Sequence, residues 1–90
     1  MEFDWDVANT GHLAKHRVEP AEAEQVFENA PLIRGHEIVD GEDRWTAVGI
    51  TERLRVLVIV FSMRDELIRP ITGWDADRQT KREFFAAKGT

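Results

Sequence analysis

Ninety residues carry 12 Lys and Arg, 17 Asp and Glu and no cysteine, for a formal net charge of −5. That length holds one core and predicts a single domain over residues 1–90. The lack of cysteine excludes a disulfide scaffold and thiolate chemistry, and it suits the cytoplasm. No apolar run approaches the roughly 18 residues of a membrane span, and the acidic start Glu2, Asp4, Asp6 is unlike a signal peptide. Net acidity argues against coating nucleic acid through bulk charge. The charge is unevenly spread, however. Residues 1–43 hold eleven acids and three bases, whereas residues 44–90 hold six acids and nine bases. A chain so divided can present one basic surface to an anion while its other surface repels it.

Met1–Trp5 alternates apolar and acidic residues, the pattern of a short strand. Val7–His16 predicts a short first helix. Glu19-Pro20 starts a second, because proline is welcome in a first turn where its missing N–H is not needed. Ala23, Val26, Phe27 and Ala30 then fall at i, i+3, i+4 and i+7, one apolar stripe. From Leu32 the period changes to that of strands. Leu32–Val39, Arg44–Thr51 and Leu54–Phe61 are divided by Asp40-Gly41-Glu42-Asp43 and Glu52-Arg53, and Asp-Gly between apolar runs signals a hairpin. Val56 to Phe61 is apolar on both phases, so this strand is expected to be central and buried on both faces. Ile68–Trp74 makes a fourth strand after the polar loop Ser62–Glu66. Pro70 cannot donate to a ladder, which predicts an edge or a bulge there. Asp75 or Asp77 caps a last helix through Lys88. The expected fold class is α+β: a four-stranded antiparallel sheet, extended to a fifth short strand if Met1–Trp5 pairs, with two N-terminal helices and one C-terminal helix.

His12 and His16 lie four apart, the spacing of a zinc pair, but a catalytic zinc needs a third ligand, which His36 or Asp6 would have to supply. Packing against the sheet is the plainer reading, and no metal or cofactor is expected. Basic residues gather at the strand ends and on the last helix: Arg53, Arg55, Arg64, Arg69, Arg78, Lys81, Arg82 and Lys88. Guanidinium forks suit phosphate. On the helix, Arg78 and Arg82 taken alone read first as a solvated face. Arg69 stands out because it lies in a strand next to Ile68 and Ile71. Trp5, Trp45 and Trp74 each read first as core or rim packing, and Trp74, ending the fourth strand, is the one to consider for stacking on a base. No glycine-rich phosphate loop and no Ser-His-Asp order is present.

Asp4-Trp5-Asp6, Asn9, His12 to Val18, Pro20, Glu22-Ala23 and Val26-Phe27 together resemble the start of BrnT-like toxins, with Arg17 standing where that family usually has glycine. Asp43 to Gly49 and Leu57 to Phe61 are similar to its central strands. Ile68 to Thr72, Asp75 and Lys81-Arg82 are similar to its last strand and basic helix, with Thr72-Gly73-Trp74 in place of the common Ser-Ala-Arg. The resemblance implies a RelE-like, metal-independent ribonuclease toxin of a type II toxin–antitoxin pair. Its partners would be RNA and a ribbon-helix-helix, BrnA-like antitoxin, with DNA reached only through that antitoxin and no membrane involved. In that chemistry the ribose 2′-OH attacks the adjacent phosphate while cations stabilise the phosphorane. Arg64 and Arg69 are then the expected phosphate contacts and His16 the proton-transfer group, with Lys15, Trp74, Arg78 and Arg82 binding RNA. Trp74, Arg17 and the negative total motivate the alternative, a catalytically degenerate domain that only pairs with an antitoxin or another protein. A metal hydrolase using His12 and His16 is the third reading.

Overall fold

The computed structural model describes residues 1–89. Helix α1 (Val7–Ala14) starts at Asp6, whose carboxylate accepts from the Asn9 backbone N–H at 3.1 Å while Asn9 Oδ1 accepts from the Asp6 N–H at 2.8 Å. This reciprocal cap satisfies two otherwise orphan donors. The helix ends two residues earlier than its pattern predicts, so Lys15 and His16 lie in the following turn. Arg17 then takes a left-handed φ of 57° and leads into α2 (Pro20–Glu28). The sheet consists of β1 (Leu32–Val39), β2 (Glu42–Ile50), β3 (Val56–Arg64) and β4 (Leu67–Asp75), antiparallel throughout and in sequence order. Helix α3 (Arg78–Ala87) follows, with the Asp77 carboxylate accepting from the Thr80 N–H at 2.8 Å. The architecture is the expected α+β arrangement.

Strand ends differ from the sequence expectation for one reason, the turns. Asp40 and Gly41 have φ of 50° and 77°, and Asp65 and Glu66 have 52° and 68°. Two consecutive left-handed residues make the tight hairpin turn that matches strand twist. Both loops therefore shrink to two residues. Glu42 and Asp43 join β2, and Ser62, Met63 and Arg64 join β3. At its other end β3 begins at Val56, because Leu54 (φ 67°) is spent in an exposed turn. Pro70 sits opposite Phe61 on the edge strand, with Ile71 bulged out of register beside it. The N-terminal segment makes only an isolated parallel bridge, Phe3 to Ile68, not a fifth strand. Two backbone bonds tie it to β4: Asp4 N–H to the Ile68 carbonyl at 2.9 Å, and Ile68 N–H to the Glu2 carbonyl at 3.0 Å.

Cross-strand pairing sorts the side chains into two layers. Leu57, Ile59 and Phe61 of β3 meet Leu13, Val18, Ala23, Val26 and Phe27 under α1 and α2. Phe27 packs edge-on to Phe61 with centroids 4.9 Å apart. Gly49 allows this approach, since a Cβ there would lie 2.7 Å from the Val26 side chain. The opposite face of β3 offers Val56 and Val58, which pack with Val48, Ala76 and Phe84 under α3. The central strand is thus buried on both faces, as its unbroken apolar run requires. Helix α3 covers only one end of its face. Beyond it, alternation places Thr46, Val60 and Thr72, then Arg44, Ser62, Arg64 and Arg69, on the same face, with Ser62 buried beneath the arginines.

The left-handed Arg17 carries strain that glycine would not. Arg17→Gly is expected to raise stability by about 0.5 kcal/mol, the backbone relief being partly offset by a more flexible unfolded chain. A thermal melt checks it, and an unchanged or lower Tm contradicts it.

Candidate functional site on the open sheet face

Arg44, Arg64 and Arg69 come from three successive strands and converge with His12, Asn9 and Ala8 of α1 around a hollow of about 230 Å³, which Glu42 and Ile71 also line. Arg69 is its most enclosed cation, with a side chain 12% exposed. Its Nη2 pairs with Asp6 Oδ2 at 3.0 Å. Its Nη1 lies 3.4 Å from Asp4 Oδ2, too poorly aligned for a hydrogen bond, and is otherwise unpartnered. Arg64 is half exposed, with Nη1 3.7 Å from the same Asp4 oxygen. Arg44 Nε donates to Glu42 Oε1 at 3.2 Å.

Asn9 builds this arrangement from beneath. Fully buried, it donates from Nδ2 to the carbonyls of Asp4 at 2.9 Å and Pro70 at 2.8 Å, fastening the N-terminal segment to the bulge of β4. The bulge thereby sets Arg69 against Asp4 and Asp6. The Asn9 N–H, and after it the Arg69 guanidinium, hold the Asp6 carboxyl below its ordinary value, so it stays charged. Among the described residues, two buried side-chain polar atoms lack a hydrogen-bond partner, Ser62 Oγ and Arg69 Nη1, and the two residues face each other across β3 and β4. Unsatisfied buried atoms cost stability, and native folds keep few of them. Here they sit together at the floor of the arginine cluster.

The other expected site residues are dispersed. His16 lies beside Trp74, ring centroids 6.3 Å apart, and it does not line the arginine hollow; His12 does. Lys15 is exposed at the C-terminal cap of α1. Trp74, 38% exposed, borders a separate hollow of about 310 Å³ further along the open face, with Arg34, Gly35, Thr46, Val58 and Thr80. Arg78 and Arg82 project from the side of α3 opposite its buried Thr80 and Phe84, with Lys81 and Phe85. No group of three or more His, Cys, Asp or Glu among the described residues is placed to hold a metal ion. His36 bonds Asp43 at 2.7 Å and packs on Trp45 instead.

Arg44, Asp4 and Asn9 had no assigned role in the sequence reading. The available signal for Arg44 was its phase, since Trp45 faces the core and its neighbour must face the other way. Arg55, read as one of several basic residues at strand ends, is a clamp. It donates to Asp75 through Nε at 2.7 Å and Nη2 at 3.1 Å, to Glu22 at 3.0 Å, and to the carbonyls of Arg17 at 2.7 Å and His16 at 3.2 Å.

A family model described as the ribonuclease toxin, BrnT, of type II toxin–antitoxin systems matches residues 5–82. The chain belongs to this family. No curated protein matches it. The BrnT match covers both faces of the sheet and every lining residue of the arginine hollow, leaving outside only Asp4 of the charged groups just described. A type II toxin works as half of a pair, so membership brings an antitoxin partner with it. The glycine usual in BrnT proteins at the position of Arg17 also has its physical reason, the left-handed φ of 57°. No helix among the described residues is long and apolar enough to cross a membrane.

Proposed function

We propose that this BrnT-family chain is a cytoplasmic endoribonuclease toxin that cleaves RNA without a metal ion, at the hollow lined by Arg44, Arg64, Arg69 and His12. The observation that carries the reading is the convergence of three guanidinium groups and an imidazole on one open end of the sheet. Arg64 and Arg69 hold the scissile phosphate and take up the charge that grows on its oxygens, as preorganised donors do best in a partly closed site. The ribose 2′-OH loses its proton to an imidazole and attacks the adjacent phosphorus. The 5′-oxygen of the next nucleotide leaves with a proton, giving a 2′,3′-cyclic phosphate and a 5′-hydroxyl. The imidazole role moves from His16 to His12, which shares the hollow with the arginines. Asp4 and Asp6 compete with substrate for those arginines, and the long 3.4 and 3.7 Å contacts of Asp4 are the ones a phosphate displaces. The cognate antitoxin, a ribbon-helix-helix protein in this reading, links the toxin to DNA.

The same carboxylates favour a second reading, a domain whose arginines are neutralised and which only pairs with its antitoxin. Purified protein incubated with RNA and excess chelator separates the two. Cleavage is expected in wild type, and His12→Ala is expected to reduce it about a hundredfold. His16→Ala should stay within a few-fold of wild type. No cleavage by wild type supports the second reading, and a loss confined to His16→Ala returns the proton-transfer role to His16.

A further inference from the structure

The open sheet face does not end at the arginine hollow. Cross-strand pairing puts Val58 with Trp74, Val60 with Thr72 and Ser62 with Arg69, so Trp74, Thr72 and Arg69 share one face of β4. On β2 the pairing of Thr46 with Val60 continues that face, and on β1 Gly35 pairs with Thr46. On β3, opposite β4, the four steps from Ser62 to Val58 at roughly 3.3 Å per residue put Arg69 and Trp74 about 13 Å apart along the strand, the bulge at Ile71 taking up the extra residue. Thr46, Val60 and Thr72 are half-buried between the two ends. The result is a track with cations at one end and an aromatic ring at the other.

We propose that the 310 Å³ hollow beside Trp74 is a second subsite, which takes an unpaired base of single-stranded RNA a few nucleotides from the step held by Arg64 and Arg69. This rests on the cleavage reading above and adds a specificity-determining residue to it. Three features fit a base. Trp74 offers an indole 38% exposed, unlike Trp5, which packs against the core and donates to Glu24 at 2.9 Å. Arg34 walls the hollow with its guanidinium fixed by Thr80 Oγ1 at 3.0 Å and Glu83 at 3.0 Å, so its plane is held without cost at binding. Gly35 leaves the floor bare, for a Cβ built there meets nothing nearer than Thr46 Oγ1 at 4.0 Å. Stacking accepts any base through its π-face, while the Thr46 hydroxyl on the floor adds a group that reads a base edge. A duplex keeps its bases stacked inward, so the subsite selects single-stranded substrate.

Two variants test it from opposite directions. Trp74→Ala removes the platform, and Gly35→Val fills the hollow from a strand position with ordinary backbone and room for the side chain. Each is expected to raise KM for a short single-stranded RNA about tenfold, with kcat within about twofold of wild type, and Trp74→Phe should recover most of the loss. Binding of the same oligonucleotide with every ribose 2′-deoxy, followed by fluorescence anisotropy, should weaken in parallel. If wild type cleaves and both variants keep its KM, the subsite is overturned and the cleavage reading stands. If wild type does not cleave but the variants still weaken anisotropy binding, the subsite stands and the cleavage reading falls. Unchanged binding in a non-cleaving protein overturns both.

Discussion

Arg69→Ala is expected to lower RNA cleavage by about 10²- to 10³-fold, the usual loss when one preorganised charge donor is removed from a transition state. Arg69 is the enclosed member of the cluster, with a side chain 12% exposed, so its interaction with phosphate is screened least by water. Its removal also leaves Asp6 without its cation and Asp4 with only the long 3.7 Å contact to Arg64, and some stability is lost with the activity. Arg64→Ala separates the two effects. That side chain is 53% exposed and its contact with Asp4 is 3.7 Å, so it contributes little to folding. Cleavage is expected to fall about tenfold to a hundredfold with Tm unchanged. Arg69→Lys keeps the charge but loses the fork, and should fall between wild type and Arg69→Ala. Growth inhibition and cleavage in vitro, measured at equal protein levels, give the readout. Full activity in Arg64→Ala and Arg69→Ala at once would remove the arginine hollow from the mechanism.

A large loss of stability is expected at Arg55, away from that hollow. Arg55→Met removes the ion pair of Glu22, frees the carbonyls of His16 and Arg17, and releases Asp75 at the end of β4. Asp75 is 62% exposed and loses little, whereas Glu22 is 21% exposed and keeps only the Glu19 N–H at 3.0 Å, with no cation beside its charge. A cost of about 2–4 kcal/mol follows, read from denaturant unfolding. The pH dependence carries a further signature. Arg55 holds the Asp75 carboxyl below its ordinary 3.8, so the folded value is the lower one. Asp75 therefore adds stability that is full above about pH 4 and is lost as pH falls through the folded value. Arg55→Met should flatten this acid-side loss. A variant that keeps the wild-type acid profile would show that Arg55 is not what holds the turn, α2 and β4 together.

Much of the fold was legible because local signals and burial agreed. Pro20 begins α2, Asp40-Gly41 makes a hairpin, and the apolar run from Val56 is central and covered on both faces. The second tight hairpin was hidden because Asp65 and Glu66 adopt left-handed φ without a glycine to announce it. That concealed the three-residue extension of β3 which puts Arg64 at the end of a strand rather than in a loop. The site was legible in its cations and illegible in its assembly. Arg64 and Arg69 stand out by residue type and position. Their carboxylate partners lie some sixty residues away in a segment held by Asn9 and a single parallel bridge, and no periodicity encodes that docking. His12 and His16 were equivalent by spacing. They part company because α1 stops at Ala14, which turns His16 toward Trp74 while His12 stays over the arginines.

If this sheet face cleaves RNA by attack of the ribose 2′-OH on the phosphate held by the arginines, the reaction cannot run without that hydroxyl. One substrate tests it most directly: a short RNA whose cleaved position carries a single 2′-deoxyribose, incubated with the protein in excess chelator beside the unmodified strand. The unmodified RNA should yield a 2′,3′-cyclic phosphate and a 5′-hydroxyl, and the modified strand should stay intact at that position. Cleavage of the modified strand there, or products ending in a 5′-phosphate, would contradict it.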